Sequence, residues 1–125
     1  MIELPWPDKR LSPNAPGHWA KAAPVKQAAK RDAKMAALAA GYRNLNFEAL
    51  HLRITFHPPD RRKRDLDNML SSLKSALDGV RDAVGVDDSN WELTIRRGEK
   101  VKGGVVVVEI GPPSDQRFVP YRGMK

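Results

Sequence analysis

From Leu66 onward, Leu66, Met69, Leu70, Leu73, Ala76, Leu77 and Val80 recur at intervals of three and four, the spacing of a helix with one buried face. Immediately before it stand four consecutive cations, Arg61-Arg62-Lys63-Arg64, and at its start two carboxylates one residue apart, Asp65 and Asp67. Upstream, Leu50, Leu52, Ile54 and Phe56 alternate with His51, Arg53, Thr55 and His57, a strand with one buried face that Pro58-Pro59 ends. The charged run therefore occupies a strand-to-helix connection. The helix is expected to continue to Val84, before Gly85, and a second acidic pair follows at Asp87-Asp88.

The rest of the chain supplies the partners this helix needs. Ile2 and Leu4 alternate with Glu3, a short strand stopped by Pro5-Trp6-Pro7, and residues 8 to 17 read as a loop. A first helix is expected with Pro24 in its opening turn, running to about Ala40 with Gly41 as its C-terminal cap. Glu92 to Arg96 and Val105 to Ile110 read as two further strands. The segment 98 to 104 is expected to join them as an antiparallel hairpin, being too short for a parallel crossover. The element order is β-α-β-α-β-β, an α/β (α+β) domain over residues 1–110 with a mixed sheet and two helices. The stretch 111–125 is expected to be a flexible, basic tail. Val105 to Val108 is apolar on both faces, so a helix is expected on one side and a partner subunit on the other.

In 125 residues, one domain with a modest core is expected from a hydrophobic fraction of 41%. Lysine and arginine exceed aspartate and glutamate by 22 to 15, a net charge of +7 that is clustered and so points to a polyanion. The absence of cysteine excludes disulfides, thiolate metal sites and cysteine nucleophiles. No apolar run reaches the roughly 20 residues that span a bilayer, and the start does not read as a signal peptide. A cytoplasmic protein without a membrane partner is expected. There is no phosphate-binding G-x-x-x-x-G-K and no G-x-G-x-x-G, so a nucleotide cofactor is not expected.

Carboxylates hold hard metal ions, and arginines hold phosphate. Asp65 and Asp67 also have an ordinary reading, since aspartate caps helices and favours their first turn. Asp67, Ser71, Lys74, Asp78 and Arg81 form one polar stripe. Lys74 leans toward Asp67 across about 10 Å of helix axis, either as a cation near a bound phosphate or as a surface lysine. Lys26, Lys30 and Lys34 form a basic stripe on the first helix, open to phosphate contact or to solvent. Asp87 and Asp88 read equally as turn residues. They lie about 25 Å from Asp65 along the helix axis, a gap that a returning chain or a neighbouring subunit must close. His57 reads as a strand-end residue or a general base.

The run His57-Pro58-Pro59-Asp60-Arg61-Arg62-Lys63-Arg64-Asp65-Leu66-Asp67-Asn68 resembles the RusA family of Holliday junction resolvases, as found in phages and prophages. Leu4-Pro5-Trp6-Pro7, Pro13-Asn14-Ala15, His18-Trp19 and Asp87-Asp88 extend the resemblance over roughly residues 2 to 110. It implies a Mg²⁺-dependent homodimeric endonuclease that nicks four-way DNA junctions symmetrically in recombination and repair. Asp65, Asp67 and Asp88 are implied as catalytic metal ligands, with Asp87 as a fourth. Arg61, Arg62, Lys63 and Arg64 are expected on the DNA backbone, with Lys26, Lys30 and Lys34. The family's best-known branch has a catalytic lysine where this chain has Ser71, and Lys74, one turn on, is the candidate to replace it. The rival expectation is a non-catalytic basic DNA-binding module whose aspartates only cap a helix.

Overall fold

A computed structural model describes residues 1–13, 15 and 19–113. Four strands form one mixed sheet: β1 (Ile2–Pro5), β2 (Leu50–His57), β3 (Trp91–Arg97) and β4 (Val105–Gly111), in the spatial order β1-β4-β2-β3. The helices are α1 (Trp19–Ala39), α2 (Leu66–Ser72) and α3 (Lys74–Val84), so the α/β class expected from the sequence holds, and the element order holds apart from the divided second helix. Ile2, Leu4, Leu50, Leu52, Ile54, Phe56, Val106 and Val108 are buried on one face of the sheet. They form a single core with Ala33, Ala37, Leu73, Val80 and Val84 of the helices.

The expected hairpin does not form. β3 pairs parallel with β2, while β4 pairs antiparallel with both β2 and β1. The connection after β3 crosses the end of β2, where Gly98 N–H donates to Phe56 O at 2.8 Å and Val101 N–H to Pro58 O at 2.9 Å. Burial decides this order. Val106 and Val108 are fully buried, and a strand this apolar gains most from a central place with neighbours on both sides. β3 carries Glu92, Thr94, Arg96 and Arg97 and takes the edge, where charge discourages further pairing. Val105–Val108 is thus not an unpaired strand awaiting a partner. Only its outer face, with half-buried Val105 and Val107, is free of helices. On that same face His51 and Thr55 are both 6% exposed while Arg53 between them is exposed, so the second face of β2 is buried in part. There His51 Nε2 meets Thr94 Oγ1 at 2.8 Å, and Arg96 Nε donates to Thr55 Oγ1 at 3.2 Å.

The expected single helix from Leu66 to Val84 is interrupted at buried Leu73, giving three helices instead of two. Ser72 Oγ donates back to Asn68 O at 2.9 Å, a bond that bends helices, and Leu73 N–H is shared between Met69 O and Leu70 O. α1 begins at Trp19, a turn earlier than expected, and carries Pro24 in its interior. Its end is as expected. Gly41 adopts φ 94°, with Tyr42 N–H donating to Ala37 O and Gly41 N–H to Leu38 O. The same segment then caps α3: Asn44 and Leu45 donate to Ala83 O and Val84 O at 2.9 and 2.7 Å. Gly111, expected to open the tail, closes β4. The rest of that tail from residue 114, together with Asn14 and His18, lies outside the described residues. Among the described residues no helix is long and apolar enough to cross a membrane.

α1 and α3 meet through small residues, and Gly79 is the tightest point. A Cβ there would lie 2.0 Å from Lys30 O and 3.0 Å from Lys34 N, both backbone atoms. Gly→Ala inside a helix ordinarily gains up to about 1 kcal/mol, whereas overpacking costs about 1–3 kcal/mol. Because backbone cannot swing aside, overpacking wins. Gly79→Ala should lower the urea midpoint, with a net destabilisation of about 1–2 kcal/mol. An unchanged or raised midpoint would show that the helices separate freely.

Candidate metal and nucleic-acid site

β2 ends at His57, whose Nδ1–H donates to Glu99 O at 2.8 Å, which fits a strand-end histidine tied to the crossing loop. Pro58-Pro59 then releases the basic turn. Asp60 organises that turn. Its Oδ1 accepts the Arg62 amide at 3.0 Å and Arg64 Nη1 at 2.9 Å, and its Oδ2 accepts Arg62 Nε and Nη2 at 3.2 and 3.0 Å. The Arg64 guanidinium beside Asp60, with Arg62 second, holds its carboxyl well below the usual aspartate range.

The cations expected to act together are therefore not equivalent. Arg64 is the most sheltered, with 20% of its side chain exposed, and it lies 5.4 Å above the Trp6 ring, which packs edge-on against Phe56. It anchors the turn to the core. Arg62 is paired yet 81% exposed, and Arg61 and Lys63 are exposed with no partner among the described residues. Lys26, Lys30 and Lys34 are all exposed, but Lys30 pairs with Asp82 at 3.5 Å across the α1–α3 contact. Lys26 instead lines a cavity of about 380 Å³ with Ser71, Lys74 and Asp78.

Asp65 occupies the N-cap position of α2, in extended conformation, but its side chain makes no cap bond. Asp67 accepts the Asn68 amide at 3.0 Å, and Asn68 Nδ2 reaches Asp65 Oδ2 only at 3.5 Å. Both carboxylates are exposed; the ordinary reading accounts for Asp67, which sits in the first turn of α2 and accepts a first-turn amide, but leaves the Asp65 carboxylate without a cap bond.

The second acidic pair behaves differently. Asp87 caps a short 3-10 turn, Asp88–Asn90, by accepting Ser89 N–H at 3.1 Å and the Ser89 hydroxyl, which lowers its carboxyl below the usual range. Asp88 lies 3.7 Å from Arg81 Nη1, which also approaches Asp78 at 3.9 Å. The start of β3 adjoins this turn, while Arg97 at its other end donates to Arg64 O at 2.9 Å. Seven extended residues cover about 20 Å, so Asp88 and Asp65 sit at opposite ends of the strand. Among the described residues no three carboxylates or histidines form a metal-holding group.

Asp65 and Asn68 open onto a cleft of about 860 Å³ between the basic turn and the loop after β1. Trp6, Lys9 and Arg10 line its opposite wall. Residues 8 to 17 read as plain loop in the sequence. The overlooked signal is that Pro7-Asp8-Lys9-Arg10 repeats the order of Pro59-Asp60-Arg61-Arg62.

Asp60 offers a direct check of the turn. Because its folded pKa is depressed, its pairing holds above the ordinary aspartate value near 3.9 and fails only as pH falls through the lower folded value. In a ¹³C carboxyl titration Asp60 should stay largely ionised at about pH 3, and Arg64→Ala should return its midpoint toward the ordinary value. An ordinary midpoint in the unmodified chain would mean the clip is open in solution.

No family model matches the chain. Over 93 residues it is 42% identical to an uncharacterized protein of Xylella fastidiosa (strain Temecula1), a match covering 72% of this chain and 61% of that protein. The chain thus spans less than two thirds of the length of this relative.

Proposed function

We propose that the protein is a Mg²⁺-dependent endodeoxyribonuclease acting on branched DNA, with a four-way junction as its substrate. The observation that carries this reading is the exposed Asp65–Asp67 pair, with the Asp65 carboxylate unspent on capping, beside a basic turn and a cleft that Asp65 lines. Mg²⁺ is commonly held by one or two carboxylates with waters and substrate phosphate, and Asp65 and Asp67 fit that donor set. When bound, the ion supplies Lewis acidity at the scissile phosphate and a nucleophilic water at neutral pH. Asp65 and Asp67 hold it, Arg61, Arg62 and Lys63 orient the backbone, and Arg64 keeps the turn in register with Trp6. Lys74 remains the candidate for electrostatic stabilisation in place of the lysine absent at Ser71. Asp88 does not join the pair within one chain; a second copy would have to bring it there.

Resolution of a four-way junction also requires two cuts, and one chain offers one Asp65–Asp67 pair, so the active species is a homodimer. The rival reading, a non-catalytic DNA-binding module, is favoured by the lack of a three-carboxylate group among the described residues.

A synthetic junction incubated with Mg²⁺ and resolved on a denaturing gel separates the two. The proposal expects paired nicks, and Asp67→Asn should abolish cleavage while keeping or strengthening junction binding, since one repulsive charge is removed. Sedimentation equilibrium of the protein without DNA should give twice the 14.0 kDa chain mass. Retarded but intact DNA with the unmodified protein would support the binding module, and a monomer in the presence of junction would exclude paired nicking.

A further inference from the structure

Two stretches far apart in sequence build the same device on the two walls of the cleft. In Pro7-Asp8-Lys9-Arg10 and in Pro59-Asp60-Arg61-Arg62, the aspartate accepts the amide of the arginine two residues on, at 2.9 Å for Arg10 and 3.0 Å for Arg62. The same guanidinium then returns to that carboxylate. Arg10 Nε and Nη2 donate to Asp8 at 3.0 and 2.9 Å, and Arg62 Nε and Nη2 to Asp60 at 3.2 and 3.0 Å. The Arg10 side-chain bond, with the backbone bond second, lowers the Asp8 carboxyl to about 2.

Neither clip ties distant elements together through its own pair, and exposed ion pairs add little stability. What each achieves is local: an arginine held in one pose, 59% exposed in Arg10 and 81% in Arg62, with Nη1 and part of Nη2 still able to donate. A guanidinium already ordered loses less entropy on gripping an oxyanion. Both arginines line the cleft that holds Asp65, Lys9 flanks one and Lys63 the other, and Asp8 and Asp65 are the only carboxylates in that lining among the described residues.

We propose that the two clips are paired phosphate grips. Lys9 and Arg10 hold one phosphodiester of a nucleic-acid strand in the cleft, and Arg62 and Lys63 hold another, on either side of Asp65. This rests on the nucleic-acid reading above but not on cleavage. It adds the loop after β1 to the binding surface.

The test is fluorescence anisotropy of a labelled junction in EDTA over a salt series, so that no cleavage enters. The variants are Lys9→Ala/Arg10→Ala, Arg62→Ala/Lys63→Ala and a charge-matched Arg31→Ala/Arg43→Ala pair, which lies outside the cleft lining. Removing one phosphate-neutralising cation should flatten the slope of log affinity against log salt by about 0.9. Both cleft variants should therefore flatten it by about 1 to 2, and the control pair should leave it unchanged. Lys9→Gln alone should still flatten it by about 0.9, and it carries the test should the double variant melt early. An unchanged slope for the Lys9 and Arg10 variants, with the unmodified protein binding normally, overturns the grips alone. Failure of the unmodified protein to bind nucleic acid overturns both the grips and the proposed function.

Discussion

The structure depends first on the central place of β4. Its valines can be buried only if strands flank it on both sides, and β1 and β2 provide those flanks. Once β4 occupies that place, the loop leaving β3 must cross the end of β2. There Gly98 and Val101 bond back to Phe56 and Pro58. That crossing packs against the Pro58-Pro59 exit, from which the basic turn emerges. Gly104, at the end of the crossing, approaches Trp6 and Pro59 so closely that a Cβ would lie 2.8 Å from the Trp6 side chain. The two walls of the cleft are thus brought together by the burial of two valines some distance away.

Around the cleft, charges divide into those that shape it and those that remain free. Asp60 and Arg64 shape it, one by closing the turn and the other by stacking on Trp6. Arg61, Lys63, Asp65 and Asp67 remain exposed. Runs with this much charge are often only solvated surface, and the distinction here is local. The carboxylate that neutralises the arginines is Asp60, which leaves Asp65 and Asp67 without an ion pair among the described residues. The acidic pair at Asp87 and Asp88 is the reverse case, with one member bound to its own turn and the other facing Arg81.

Much of this was legible in the chain, and the limits follow a physical line. The period of two located β1 and β2, and the three-to-four spacing located the stretch of α2 and α3, because burial of one face acts within a few residues. Gly41 was readable as a cap for the same reason. The order of strands was not, since it depends on competition between β3 and β4 for a central place, a comparison across the whole sheet. The break at Leu73 is hidden in the sequence because the apolar stripe runs through it, and only the Ser72 back-bond reveals the bend. At the site, sequence identified the Asp65–Asp67 pair and the cations beside it. Arg61 to Arg64 read there as one patch, because their division depends on which side chain Asp60 folds back to meet. The loop from Asp8 carries no assignment in the sequence although its four-residue pattern is repeated at Pro59, since the repeat has meaning only when both copies face one space.

The central claim is the proposal that Asp65, which lines this cleft, and the neighbouring Asp67 form a divalent-metal site at its edge. Paramagnetic broadening by substoichiometric Mn²⁺, followed in amide spectra of the whole chain, tests it most directly. The account predicts selective disappearance of the Asp65, Asp67 and Asn68 signals, enhanced when uncleaved junction DNA is present and abolished by Asp67→Asn. Broadening centred on Asp87 and Asp88 alone, or spread evenly over the exposed carboxylates, would contradict it.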